Sequence, residues 1–449
     1  MMATMFVVAL VQQPAVHADT SRGRPCKVVI DSVGRQAQQV EVRAGETNVF
    51  AGGGVLAHCE GTGTTLSADS VAWFAGVKRF DMIGQHNIVH IRDTTLTLDA
   101  TTAAYYLNQE RLEAHRNVVA VNRTTGSVLR GPNLTYYRAV PGIRDTLEMY
   151  GSSRPTIDYH ATADSGEPYV IVADRVRFKG NDRMWGGGRV TIDRSDFAAQ
   201  GDSMQLDQPA GFGVLVGKPA VEGKGARAYK LTGTRIELGL AGREIKRVKA
   251  LGDGVATGSD WRLTADTIHL FLDRSKLQRA FAWGPKDSVK ARAVSTTTTI
   301  RSDSLALDLP NEVLTEARAF GHAFSTSKKD STKNADVNWI AGDSLTARWT
   351  QVPDSAGELK PKIHELISRK NARALTHTQS EHDTAGPSIN YTRSAIIRIV
   401  LKGGKVDSVT ATGHADGVQL EHRPPAPPDT TKHQTPPPPP PPPPPVPNR

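Results

Sequence analysis

The chain has 449 residues, 38% of them apolar, 22% charged and only 6% aromatic, with 40 glycines. That balance is enough to build a core, but a thin and mostly aliphatic one, at a length of about three domains or one extended repeat array. The net charge of +9 is spread over interspersed acids and bases, with no dense basic helix and no basic run carrying interleaved aromatics, which argues against nucleic acid as a partner.

Residues 1–18 read as a secretory signal: an apolar run from Met5 to Val11, then Pro14, then Val16-His17-Ala18 as a cleavage site, without a basic n-region. The run is too short to span a bilayer. Two cysteines follow, Cys26 and Cys59. In an exported chain an even pair suggests a disulfide, closing a loop of about 34 residues worth roughly 3–4 kcal/mol. The other reading is two unpaired small hydrophobes. His58 adjoins Cys59, but no second Cys or His cluster has ligand spacing, so no metal or other cofactor is expected.

From Leu66 onward one phrase recurs: "LSADSVAWF" (Leu66), "LDATTAAYY" (Leu98), "LRGPNLTYY" (Leu129), "IVADRVRFK" (Ile171), "AQGDSMQLD" (Ala199), "LTGTRIELG" (Leu231), "LTADTIHLF" (Leu263), "IRSDSLALD" (Ile300), "IAGDSLTAR" (Ile340) and, degraded, "YTRSAIIRI" (Tyr391). Its fourth position falls on Asp69, Thr101, Pro132, Asp174, Asp202, Thr234, Asp266, Asp303 and Asp343, with a modal step of about 32 residues. A carboxylate needed for chemistry would not be replaced by proline in a sister copy. A small residue before a turn-tolerant one instead predicts a corner where a strand bends.

A second phrase lies between these copies, a small residue followed by alternating apolar positions: "GQHNIVHIR" (Gly84), "AHRNVVAVN" (Ala114), "GGGRVTIDR" (Gly186), "LGDGVATGS" (Leu251) and "FGHAFSTSK" (Phe320). Each repeat then reads as strand, turn, strand. The stretches "LNQERLEAH" and "KPKIHELISRKNAR" fit short helices as well as strands. Three insertions read as loops: around Gly142 to Pro168, after Phe324 and after Thr350. Residues 423–449, with ten prolines from Pro436 to Pro445, read as a disordered tail with polyproline II stretches, serving either as a partner-docking element or as a spacer.

No nucleophile elbow, Walker loop, HExxH, CxxC pair or DxDxDG loop is present, and "GTGTT" at Gly61 lacks the third glycine of a dinucleotide site. A non-enzymatic role is therefore expected. The remaining enzymatic alternative is two facing acids of a glycoside hydrolase, whose identity the sequence does not give.

The segments "GQHNIVHIRDTTLTLDATTAAYY" and "GVATGSDWRLTADTIHLFL" resemble the repeat of the OstA-like family, which comprises LptA, the periplasmic part of LptC and the N-terminal domain of LptD. The resemblance extends in degraded form from about Val49 to His422, within an array read as residues 26–422. It implies an all-β fold: an elongated antiparallel β-jellyroll, here of about nine repeats of about 32 residues. It also implies a periplasmic protein that carries lipopolysaccharide or a related glycolipid in an apolar groove toward the outer membrane and joins LptC-like or LptD-like jellyrolls edge to edge. The groove positions it implies are Val71, Trp73, Val89, Ile91, Leu96, Leu98, Val119, Val121, Val176, Phe178, Val190, Ile192, Ile268, Leu270, Leu305 and Leu307. The alternative is a structural or adhesive β-repeat protein without lipid cargo. The chain is longer than a typical LptA, and the proline tail lies outside the family pattern.

Overall fold

A computed structural model describes residues 26–60, 62–160, 166–225, 228–242, 244–284, 290–295, 297–328, 337–353, 359–378, 388–403 and 405–421. The expected signal segment and proline tail lie outside them. The described residues form 32 strands and two 3₁₀ turns, all strand pairings being antiparallel. The two stretches that fit short helices are resolved differently. In the first, only Leu107–Gln109 makes a 3₁₀ turn, and its sequel enters the strand Arg111–Asn122. "KPKIHELISRKNAR" lies wholly in the strand Leu359–Thr378, where Leu366 and Ala372 are buried in the core and Ile363 packs against it. The first insertion is not all loop either, since it holds the strands Glu148–Ser152 and Thr156–Tyr159. The other two begin and end inside long strands, Glu316–Lys328 to Val337–Pro353 and Val337–Pro353 to Leu359–Thr378.

One hydrogen-bonded sheet is folded on itself into two facing layers. The strand Thr64–Phe74 shows how. Its first half pairs with residues 55–59 and 90–92, and its second half with residues 49–52 and 79–83. Changing partners midway carries the strand from one layer into the other. The change falls at Asp69. The same crossing occurs at Thr101, Pro132, Asp174, Asp202, Thr234, Asp266, Asp303 and Asp343, the fourth position of their phrases, and at Ala395, the fifth position of the degraded tenth copy.

The burial pattern explains the small residue before it. Ala68 and Val71 are both buried, as are Ala173 and Val176, Ala265 and Ile268, and Ser302 and Leu305. Inward positions thus skip by three at this corner instead of two, and the residue on its inside is Ala, Gly or Ser in all ten copies. At Gly342 a Cβ would fall 2.2 Å from the Ser368 hydroxyl oxygen, so the corner admits no side chain there.

Eight return crossings use a different device, two successive residues in the left-handed region. They are Gly53-Gly54, Arg116-Asn117, Ser153-Arg154, Gly188-Arg189, Gly217-Lys218, Gly252-Asp253, Gly321-His322 and Lys370-Asn371. Between Asp69 and Thr101 the chain therefore lays down four strand segments, two in each layer, where the sequence suggested two strands per repeat. Both kinds of crossing run along one seam, bonded to each other: the Thr101 amide donates to the Arg116 carbonyl and the Asp174 amide to the Gly188 carbonyl. The hairpin turns of both layers line the opposite margin. With strands about 4.8 Å apart, the stack is on the order of 100 Å long.

Each layer has two terminal strands paired on one side: Gln36–Arg43 and Lys405–Thr412 in the first layer, Lys27–Val33 and Asp416–Leu420 in the second. Cys26 and Cys59 are joined by a disulfide that ties the chain entry to the second layer.

Candidate functional site

The phrase acids hold the seam together. Asp69 Oδ2 accepts the amides of Gln85 (2.6 Å), His86 (2.6 Å) and Asn87 (2.8 Å), and Oδ1 accepts Asn87 Nδ2 at 2.9 Å. These donors, the Asn87 amide foremost, hold its carboxyl far below the usual carboxylate range. Such a group fixes a loop and has no proton to give. Asp174 binds Arg154 and Arg189 at 3.0 and 2.7 Å, Asp343 binds Asn371 at 3.1 Å, and Asp303 binds His322 at 3.0 Å. In each case the partner belongs to a neighbouring return crossing.

Thirteen of the sixteen implied groove positions are buried between the layers: Val71, Val89, Ile91, Leu96, Leu98, Val176, Phe178, Val190, Ile192, Ile268, Leu270, Leu305 and Leu307. Trp73 packs against that core while half-buried. Val119 and Val121 are corrected: they alternate outward, and their neighbours Val118 and Ala120, each 1% exposed, take the inward places. The cause is the left-handed pair Arg116-Asn117, after which the very next residue turns inward. In the sister copy a longer corner, Gly84 to Ile88, delays that position to Val89.

These side chains meet one another, because the layers are closed along most of their length. From Thr64 to Thr257 the interior is filled with Leu, Ile, Val, Met and Ala and with aromatics such as Phe80, Phe178 and Phe197, each large buried side chain contributing about 1.5–3 kcal/mol. Cavities there are small, about 60 Å³ beside Ile171 and Phe197 and about 30 Å³ beside Leu129 and Ile157. Side-chain bonds also stitch the turn margin shut. The Cys26 amide donates to Glu110 Oε1 (3.0 Å), Asn122 Nδ2 to Asn181 Oδ1 (2.7 Å), Tyr159 to Gln208 Oε1 (3.1 Å) and Ser275 to Asp196.

Beyond Ala228 the margin opens. A cleft of about 380 Å³ lies between the turns of the two layers. On one side stand Tyr229, Trp261 and Thr298, and on the other Leu277, Leu309, Leu314, Trp349, Ile363 and Leu401, with Lys360 and Lys362 among the lining residues. The volume falls in the range of small-molecule sites. Burial, and then the nearby Glu312 charge, push the Tyr229 phenol well above its ordinary value, so it presents a neutral hydroxyl.

None of the sixteen implied positions lines this cleft. Tyr229, Trp261, Thr298, Leu309, Trp349 and Leu401 sit one or two places outside the copies of the first phrase, where its periodicity carries no signal. The apolar residues at turn positions, such as Trp261 after Gly258-Ser259-Asp260 and Leu309 before Pro310, are the one trace in the sequence. No family model matches the chain, and no curated protein matches it.

Proposed function

We propose that the chain is an exported lipid-transfer scaffold of the OstA type, a long β-jellyroll that holds acyl chains of lipopolysaccharide or a related glycolipid between its layers in the periplasm. The observation that carries this reading is the open margin from Tyr229 to Leu401, where an aliphatic and aromatic cleft of about 380 Å³ meets solvent beside two lysines. Each methylene buried there favours binding by about 0.8 kcal/mol, and an ammonium at the rim suits a phosphate-bearing headgroup. The terminal strands, each paired on one side, offer backbone donors and acceptors to an LptC-like or LptD-like jellyroll. No step in this role needs a catalytic residue.

A structural or adhesive rod without lipid is the second reading, favoured by the filled interior between Thr64 and Thr257. A photo-crosslinking residue at Leu309 or Ile363 separates the two. Lipid adducts from these positions in cells, with none from the outer-face position His90, are the expected result. Their absence at both cleft positions would leave the rod.

A further inference from the structure

The outer face of the second layer gathers charge of one sign toward the end of the described chain. Nearer the start, bases stand against acids on it: His58 with Asp31 (2.7 Å), His90 with Asp99 (2.6 Å), Lys230 with Glu222 (2.7 Å). From Trp261 onward the described strand segments of this face carry Arg262, Arg292, Arg301, Arg373 and Arg393, all exposed, against a single acid, Asp416. Their alternating neighbours Leu263, Ile300 and Ala374 are at most 2% exposed and point into the core, which sets the arginines outside. Arg292 stands directly opposite Arg301 in the ladder, and Arg373 directly opposite Arg393. Like charges set opposite one another weaken a sheet. Asp416 relieves only the second pair, accepting Arg393 Nε at 2.8 Å. Arg262, Arg292 and Arg373 have no ion-pair partner among the described residues. Arg301 lies 4.5 Å over the Phe324 ring, a contact that leaves its charge in place. The seam acids at the margin of the face are engaged elsewhere: Asp303 holds Lys290 and His322, and Asp343 holds Asn371.

The row beside the arginines is apolar. Trp339, Leu375, Tyr391 and Val418 stand directly opposite one another on adjacent strands. Phe324 stacks on Trp339 with centroids 5.9 Å apart. On the same face Val337, Val418 and Leu420 are 36%, 59% and 60% exposed. Arginines, aromatic rings and exposed aliphatics thus share one sheet face, about 34 Å across its strands. Each kind suits a different depth of a bilayer surface. Guanidinium groups bind headgroup phosphates, Trp and Tyr favour the interface, and Val and Leu the acyl boundary. A second copy docked through the same face would set arginine on arginine. Single-stranded nucleic acid needs rings open for stacking, whereas Phe324 and Trp339 stack on each other and the exposed aliphatics would gain nothing from it.

We infer that this face docks the protein on an anionic phospholipid surface. Arg262, Arg292, Arg301 and Arg373 take the headgroup phosphates, which supply the counter-charge that the sheet lacks, while Trp339, Tyr391 and Val418 enter the interface. The face lies on the outside of the layer and the cleft opens between the layers, so docking stands whether or not the cleft holds a lipid.

Sedimentation of the full chain with phosphatidylcholine vesicles, with and without phosphatidylglycerol, tests this. Binding is expected only with phosphatidylglycerol, and it should weaken as salt rises from about 0.1 M to about 1 M. Each arginine near an anionic surface is worth about fivefold in affinity, so Arg292→Gln with Arg301→Gln should lower binding about thirtyfold. Removing a like-charge pair spares the fold, which an unchanged or higher urea midpoint verifies. Arg373→Gln, expected to cost about fivefold, is the second variant. Lys27→Gln with Arg130→Gln removes the same charge from the paired part of the face and should leave binding nearly unaltered. Lipids with brominated acyl chains should quench the tryptophan fluorescence of the native chain, and quench Trp339→Phe less. Equal quenching would assign the contact to the cleft tryptophans, Trp261 and Trp349, and overturn the proposal. So would equal binding to neutral vesicles, equal losses in the two double variants, or tighter binding to a dissolved single-stranded oligonucleotide.

Discussion

Asp303 and Gly321 occupy one corner of the seam from opposite directions. The Asp303 amide donates to the Gly321 carbonyl at 2.9 Å, and a Cβ on Gly321 would fall 2.1 Å from Asp303 Oδ2. Asp174 with Gly188 and Asp202 with Gly217 repeat the arrangement, where a Cβ would come within 2.5 Å of Asp174 Oδ2 and of Asp202 Oδ2. An outgoing crossing supplies the carboxylate and a return crossing supplies the glycine that makes room for it. The two phrases of the sequence are therefore two halves of one joint.

Gly321→Ala should therefore destabilise the chain by about 2–3 kcal/mol, combining left-handed strain with displacement of the Asp303 carboxylate. Gly54 is the control. It has φ of +98°, but a methyl group on its Cα would meet nothing within 4 Å, so Gly54→Ala carries strain alone, about 1 kcal/mol. Urea unfolding of both variants checks this. Equal losses would mean that the carboxylate contact is incidental.

Reduction of the Cys26–Cys59 bond should act locally. The bond closes a loop of 33 residues' separation, worth about 3–4 kcal/mol on the chain-entropy estimate, and the entry strand Lys27–Val33 pairs with only one neighbour. In a stack where each segment touches only its neighbours, such a loss stays near its origin. Hydrogen exchange of the Lys27–Val33 amides should accelerate by about two orders of magnitude in Cys26→Ser with Cys59→Ser, while exchange in Glu316–Lys328 stays unchanged. Unaltered exchange at Lys27–Val33 would show that the strand is held by its ladder and by the Cys26–Glu110 bond instead.

The corners were legible in the sequence because they constrain residue type twice, through a small side chain inside and a turn-tolerant residue at the bend. Ala68-Asp69 and Ala265-Asp266 carry both marks. The return crossings were harder to read. Gly53-Gly54 advertises left-handed backbone, whereas Arg116-Asn117 and Lys370-Asn371 achieve it without glycine. That ambiguity is why Val119 and Val121 read as inward. The cleft was illegible for another reason. Its walls come from turns far apart in the chain, Tyr229 with Leu401 among them, and no local pattern encodes how far two margins stand apart.

His269 gives the fold a pH dependence of its own. It lies on the outer face of the first layer against Trp283, with ring centroids 4.7 Å apart, and near Phe271 at 6.3 Å. Burial, then the charges of Lys249 and Arg247, outweigh the opposing Glu237 and push its imidazole down to about 4. The unfolded chain binds that proton near pH 6.5. Stability from keeping the ring neutral is therefore fully present above about pH 6.5 and is lost as pH falls through about 4, because protons then favour the unfolded chain. Unfolding followed from pH 7 to pH 4 should show this loss in the native chain and a flatter profile in His269→Phe, which keeps the aromatic contact and cannot titrate. Parallel profiles over that window would place the proton uptake on another group.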